Sequence, residues 1–462
     1  MIDAPAAQQG FSGGAATATI MPVDERERVV AVDVLRGVAL LGILTMNVVS
    51  FGLPFACYMD PRVPDAVTFQ GPFEGLNKVA WVINFYVFDT KMMTIFSMLF
   101  GAGLALMGER ADRRAAEAGR VGGVVGAKGR FAAVYYRRLA FLALFGFLHA
   151  YGLWYGDILF SYAVCGLLLY PLRGLRAGWL AAIGIVLIVI GVGLSAGGGA
   201  GMTYMESQQQ RAAAAAALPD ATEAQKREAE RLTETVKNMN NVGDSSAQVV
   251  QMRGSLQEVL QTNAIHAFMM QAIMLPLMVF WRCMGLMLLG MALMKRGVLS
   301  GLASKRAYVW MVGVGYGVGL PLTHWAAVDA VATDFRMSRL LLVGWVIAAP
   351  ASILMALGHV GVVMLVVKSG AAKWVTARLG AVGRMALTNY LMQTVICTTT
   401  FYGWGFGLFG SLERWQLWGV VLGVWALQLA LSRVWLARFK FGPAEWAWRS
   451  LTHLEAQPMR RG

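Results

Sequence analysis

In the stretch GFLHAYGLWYGDIL, residues 146–159, a histidine and an aspartate stand eight residues apart, His149 and Asp157, in otherwise apolar surroundings. An imidazole changes charge near neutrality. A carboxylate bonded to one of its nitrogens orients the ring and raises its basicity, which is what general acid–base chemistry requires. Spacing alone leaves contact open, because the turn Tyr151 to Gly156 would have to bring the two side chains together. The gap also differs from the HxxxxD of soluble acyltransferases. Against the catalytic reading stands the ordinary use of a histidine at a helix end, a hydrogen-bonded packing residue.

The elements that carry this pair are set by composition. With 57% hydrophobic and 14% charged residues in 462, the chain reads as an all-α, polytopic integral membrane protein. Its apolar runs are too long and too little alternating for a barrel. Ten spans are expected, at about 29–53, 80–107, 139–153, 154–172, 178–198, 264–294, 307–327, 339–367, 384–404 and 415–436. Between Arg138 and Arg173 lie 34 residues, about 15 per leg where a full crossing needs roughly 20. The tip of that hairpin is therefore expected below the outer surface.

The net charge of +14 lies in loops, so it argues for topology and against a nucleic-acid partner. Starting inside, Lys and Arg number 26 on the inner side against 11 outside, which puts both termini in the cytoplasm. Residues 1–28 are expected to be a disordered cytoplasmic segment without a conventional signal peptide; 29–198 form a five-helix half, 199–263 an extracytoplasmic helical loop, 264–436 a second membrane half and 437–462 a cytoplasmic tail. In the loop, a Gly-rich exit leads to a soluble helix capped by Asp220 with Glu223 or by Thr222 with Gln225, and braced by a Glu223–Arg227 pair. The four cysteines are scattered, with no disulfide framework and no metal spacing.

Three acids and three bases remain inside the spans: Asp33, Asp89 and Asp157 against Arg36, Lys91 and Arg282. Each is costly in lipid, so they are expected to face the bundle interior and neutralise one another. Asp33 and Arg36 share a helix face and should pair locally. Asp89 and Lys91 point apart, leaving Lys91 to meet a substrate carbonyl or phosphate. Arg282 follows Pro276, an expected kink. Asn389, Tyr390 and Gln393 share one helix face and either line a cavity or form interhelical hydrogen bonds. His266, His324, His359 and His453 carry weaker signals.

The stretches VDVLRGVALLGILTMNVVSF (32–51), FDTKMMTIFSMLFGAGLALM (88–107), LHAYGLWYGDILFSYAVCGLLL (148–169), GRMALTNYLMQTVI (383–396) and FGPAEWAWRSLT (441–452) resemble the YeiB family of bacterial inner-membrane proteins, whose C-terminal half is a domain of unknown function. The opening D-x-x-R-G with Asn47 is more distantly similar to heparan-α-glucosaminide N-acetyltransferases and the transmembrane acyltransferase superfamily. That resemblance implies an acyl group, carried by acyl-CoA in the cytoplasm and most simply acetyl, delivered to a glycan or lipid acceptor outside. His149 would be general base or transient acyl carrier with Asp157 orienting it, Asn47 would bind the reacting carbonyl or acceptor, and Arg36 and Lys91 would hold the donor's negative charge. The histidine those enzymes use follows helix 1; here residues 53–79 contain none. A proton-coupled transporter is the rival, with the six charges and His149 as relay, and an assembly or sensor subunit is third. A homodimer is compatible with all three.

Overall fold

The apolar runs fold as helices throughout the computed structural model, which describes residues 29–62, 70–120, 127–240 and 245–461. The expected N-terminal segment 1–28 lies outside the described residues. The main helices are α1 (Val30–Gly52), α2 (Gly75–Ile83), α3 (Lys91–Arg120), α4 (Ala127–Gly152), α5 (Leu159–Leu172), α6 (Ala177–Ala216), α7 (Glu223–Asn240), α8 (Ser245–Arg253), α9 (Leu256–Met269), α10 (Phe280–Lys295), α11 (Lys305–Ala332), α12 (Trp345–Ser369), α13 (Lys373–Arg384), α14 (Ala386–Phe401), α15 (Leu417–Arg438) and α16 (Pro443–His453). The described residues contain no strand, only one β-bridge between Phe439 and Arg460.

Each of the ten expected segments coincides with helix, and seven helices are long and apolar enough to cross a membrane. The remaining three, α5, α11 and α14, do not meet that measure of length and hydropathy. Among the described residues the fold is therefore all-α with seven candidate spans.

α1 is the central helix. Its apolar window is 83% buried, against 28% for α6 or α15, and it packs on α3, α13, α14 and α15. Glycine makes the closest crossings. A Cβ on Gly37 would collide with the Leu379 carbonyl and one on Gly383 with the Asp33 carbonyl, so α1 and α13 meet backbone to backbone. Gly101 and Gly290 do the same for α3 and α10, against the carbonyls of Met287 and Met98.

Three segments are π-helical: Asn84–Phe88, Met270–Val279 and Leu340–Gly344. Pro276 lies within the second, so the expected kink takes the form of a widened turn.

The outer segment departs from expectation. α6 runs through the Gly-rich stretch without a break for 40 residues, about 60 Å at 1.5 Å per residue, twice a hydrocarbon core. One of the glycines there serves a contact: a Cβ on Gly199 would strike the backbone of Leu342 and Ser338, while Gly197, Gly198 and Gly201 face open space. Thr222 and Gln225 form the cap of α7, with Gln225 Oε1 accepting the Thr222 amide at 2.8 Å. Glu223 pairs with Lys226 at 3.0 Å in place of Arg227, because the i,i+3 ammonium reaches it first. The boundary at 263 falls inside α9, whose start is a complete capping box of Ser255 and Glu258.

Candidate functional site

α4 ends at Gly152, and the carbonyl of His149 accepts both the Leu153 and Trp154 amides, which turns the chain back towards α5. Gly146 lets the two legs approach, since a Cβ there would lie 2.8 Å from Asp157 Oδ1. Asp157 then accepts the Phe160 amide at 2.8 Å, satisfying one orphan donor at the start of α5.

That same carboxylate holds the histidine. His149 Nδ1 lies 2.8 Å from Asp157 Oδ2, and His149 Nε2 lies 2.9 Å from Thr394 Oγ1 of α14. An ionised carboxylate can only accept, so this network assigns the ring proton to Nδ1 and leaves the Nε2 lone pair facing the threonine hydroxyl. All three are sealed: His149 is 2% exposed, Thr394 0% and the Asp157 side chain 1%. The hairpin tip is buried, as expected for a site below the surface.

Other elements close over it. Trp154 stacks on Phe51 of α1 with ring centroids 4.1 Å apart, and the Tyr390 ring lies 5.1 Å from the imidazole. Asn263 of α9 roofs the turn, accepting the Tyr155 amide at 2.6 Å and donating to the Ala150 carbonyl at 2.7 Å. Among the described residues, the Trp154 indole N–H is buried without a hydrogen-bond partner, and the Tyr390 hydroxyl is buried near the Ile158 backbone amide. Beside the tip, an apolar groove of about 790 Å³ opens between Phe147, Leu148 and Tyr151 of α4 and Leu256 and Leu260 of α9.

The remaining expected site residues divide. Asn389 bonds to the Val382 carbonyl and Ser432, and Gln393 to the Leu40 carbonyl and Gln428, so both stitch α14 to its neighbours. Both side chains are buried, and the bonds their amide nitrogens donate offset part of the cost of that burial, while Gln393 Oε1 has no partner among the described residues. Tyr390 belongs to the His149 group. Asn47 is half-buried on α1 with no hydrogen bond among the described residues, one turn before Phe51.

Asp33 and Arg36 pair as expected, at 3.4 Å. The other intramembrane charges do not neutralise one another in contact pairs. Arg282 donates to the hydroxyls of Thr94 and Ser352, at 3.0 and 2.9 Å. Lys91 donates to the Phe85 carbonyl, freed by the π-helical turn, and Asp89 faces the Tyr58 hydroxyl at 3.5 Å. Hydroxyls and carbonyls are already in place along the helices and cost less ordering than a distant counter-ion. Lys91 is therefore engaged with its own chain.

Thr94 and Ser97 lie one turn apart on α3, and Ser97 bonds to Tyr162 of α5 at 2.7 Å, which links the Arg282 group to the hairpin. The weaker histidines serve packing: His324 meets Tyr86 at 2.7 Å, His359 the Met355 and Val87 carbonyls, and His266 the Thr262 carbonyl. The four cysteines are buried and form no disulfide, and no group of three or more metal-ligating side chains occurs among the described residues.

Sequence reasoning did not find Thr394, Asn263 or Glu445. Thr394 was legible in principle, four residues after Tyr390 and so on the same face of α14. Glu445, on α16, accepts the Leu387 and Thr388 amides at 2.6 and 3.1 Å and caps the helix that carries Thr394. Trp448 of the same α16 donates to the Arg138 carbonyl of α4 at 2.8 Å, with the Arg138 guanidinium 3.7 Å above its ring.

Residues 293–455 match the family described as "Protein of unknown function (DUF418)". The chain is 31% identical to "Uncharacterized protein YeiB" of Escherichia coli (strain K12), over 94% of its own length and 98% of that protein's. To "Uncharacterized protein YxaH" of Bacillus subtilis (strain 168) it is 29% identical, over 96% and 98%. An "Uncharacterized 39.9 kDa protein in amylase 3'region" of Bacillus acidopullulyticus is 24% identical over 95% and 97%. No solved structure matches the chain. With nearly the whole of both proteins aligned at that identity, the chain belongs to the YeiB family.

Proposed function

We propose that the protein is a membrane-embedded acyltransferase that takes an acyl group from cytoplasmic acyl-CoA, acetyl-CoA in the simplest case, and delivers it to a hydroxyl or amine of a glycan or lipid on the other side. The observation that carries this reading is the imidazole of His149, held by Asp157 through one nitrogen and aimed at a hydroxyl through the other. That is the orientation of a general base poised to take a hydroxyl proton. Thr394 stands where an acceptor hydroxyl, or a relaying one, would sit. The unpartnered Trp154 N–H near the ring is a donor for a developing oxyanion, and the Tyr390 hydroxyl lies on the same side of the site. The seal over the site fits chemistry that must exclude water.

The test is incubation of purified protein in vesicles with radiolabelled acetyl-CoA and an envelope extract. Label on a glycan or lipid from wild type, lost in His149→Ala, is the expected result. Equal CoA release by both proteins, with no acyl product, overturns the reading.

One observation favours a second reading, a proton-coupled transporter. Arg282 and Asp89 are solvated by hydroxyls of Thr94, Ser352 and Tyr58 near two π-helical segments, an arrangement suited to moving charge. Solute movement in vesicles that follows a pH gradient and consumes no acyl-CoA would select it.

A further inference from the structure

Four arginines from three separate elements converge beneath the bundle, at the face that the positive-inside pattern assigns to the cytoplasm. Arg449 and Arg36 lie within electrostatic range of Arg138, and Arg449, Arg138 and Arg137 all act on His453. The topology rule explains basic loops. It does not explain why α1, α4 and α16, distant in sequence, turn arginines towards one place.

The group is partly buried, which makes crowding costly. Burial, then the neighbouring Arg449, Arg138 and Arg137, push His453 below its ordinary value, with Glu455 opposing weakly. Arg137 keeps a buried Nε with no hydrogen-bond partner among the described residues. The Arg138 guanidinium carbon sits 3.7 Å from the Trp448 ring centroid, so the ring holds the group in place beside Arg449. Of the carboxylates described nearby, Asp33 is bonded to Arg36.

We infer that this cluster is a binding site for phosphate esters, and that its ligand is the nucleotide portion of coenzyme A. The assignment of the nucleotide rests on the acyltransferase reading. α16, which supplies Arg449 and His453, also ties the feet of the two helices that carry the reacting pair, α4 through Trp448 and α14 through Glu445. Arg138 precedes His149 by 11 residues, about 16 Å of helix. Coenzyme A carries its thioester at the end of a pantetheine arm of comparable reach. A ligand anchored at the arginines therefore has its reactive end directed at the imidazole. Arg36, expected from the sequence to hold donor charge, joins this site; Lys91, bonded to Phe85, does not.

The experiment is equilibrium binding to full-length protein in phosphatidylcholine nanodiscs, with coenzyme A, dephospho-coenzyme A, inorganic phosphate and phosphatidylglycerol-containing discs as separate arms. Coenzyme A should bind, dephospho-coenzyme A more weakly, and Arg138→Gln and Arg449→Gln should each weaken coenzyme A at least tenfold. Arg449→Lys should restore part of the affinity, and Lys305→Gln, an exposed cation elsewhere, should change nothing. Unaltered coenzyme A binding in both Gln variants, each shown folded by its melting temperature, overturns the proposal. So does retention of phosphatidylglycerol with no coenzyme A binding, which would assign the site to a lipid headgroup. Binding is read without turnover. Coenzyme A bound at these arginines by a protein that transfers nothing would sink the acyltransferase reading and leave the site standing.

Discussion

The carboxylate of Glu445 accepts the backbone N–H of Leu387 at 2.6 Å, so a residue of the C-terminal tail caps the helix that presents Thr394 to His149. The tail is thereby part of the site's framework, although it lies more than 40 residues further along the chain. Replacing Glu445 with Ala removes the acceptor for two amides and the Thr388 hydroxyl. The loss should be about 1–2 kcal/mol, the scale of a helix cap, read as a lower melting temperature in detergent. An unchanged melt would mean that water caps α14 equally well.

Asp157→Asn keeps the size of the side chain and removes the obligatory acceptor. The Nδ1 proton is then no longer fixed, and acyl transfer should fall by about 10²–10⁴-fold, the usual scale of general acid–base catalysis. Full activity in this variant would make the His149–Asp157 contact a packing interaction.

Thr394→Ser retains the hydroxyl opposite His149 Nε2, and Thr394→Val removes it with little change in shape. Serine should preserve both fold and transfer. Valine leaves a buried ring nitrogen unsatisfied, at about 1–3 kcal/mol, and should slow transfer if the hydroxyl relays the proton. Equal transfer rates in the two variants would leave Thr394 a packing role only.

Asn263 bonds to three backbone groups of the hairpin turn, the Tyr155 amide and the Ala150 and Tyr151 carbonyls. Asn263→Ala should open that roof, lower the melting temperature and raise hydrogen exchange at Tyr155 in particular. Unaltered protection there would show that α9 covers the turn without holding it.

His453 supplies a pH signature. Its proton affinity is lowered in the fold, by burial first and by Arg449, Arg138 and Arg137 next. Between the folded value and the ordinary 6.5 the unfolded chain binds a proton that the folded one does not. The histidine's contribution to stability is thus complete above pH 6.5 and is lost as pH falls through the lower folded value. His453→Asn should flatten that part of the stability profile. Phosphate bound at the arginines should raise the histidine's proton affinity again, so coenzyme A binding should tighten as pH falls below the ordinary 6.5 towards the lower folded value.

The membrane helices were legible because apolar length is a strong signal, and the Asp33–Arg36 pair because both partners share one helix turn. His149 and Asp157 were legible as polar groups in an apolar hairpin. The third partner was harder to read: Thr394 shares a helix face with Tyr390, but it lies 245 residues from His149 and nothing in the sequence joins the two. Asp89 lies within electrostatic range of both Lys91 and Arg282, but their hydrogen-bond partners were not legible, because serines, threonines and a π-helical turn's open carbonyl are solvating groups that a census of formal charges omits. The Gly-rich exit failed for a related reason. Glycine marks both chain breaks and close helix contacts, and only the partner at Leu342 decides between them.

The enclosure of His149, at 2% exposure, also bears on economy of the donor. An activated acyl group meeting the imidazole there would encounter almost no competing nucleophile from bulk solvent. One acyl group should then reach the acceptor for nearly every thioester cleaved, and futile hydrolysis should emerge only in variants that loosen the roof, Asn263→Ala first among them.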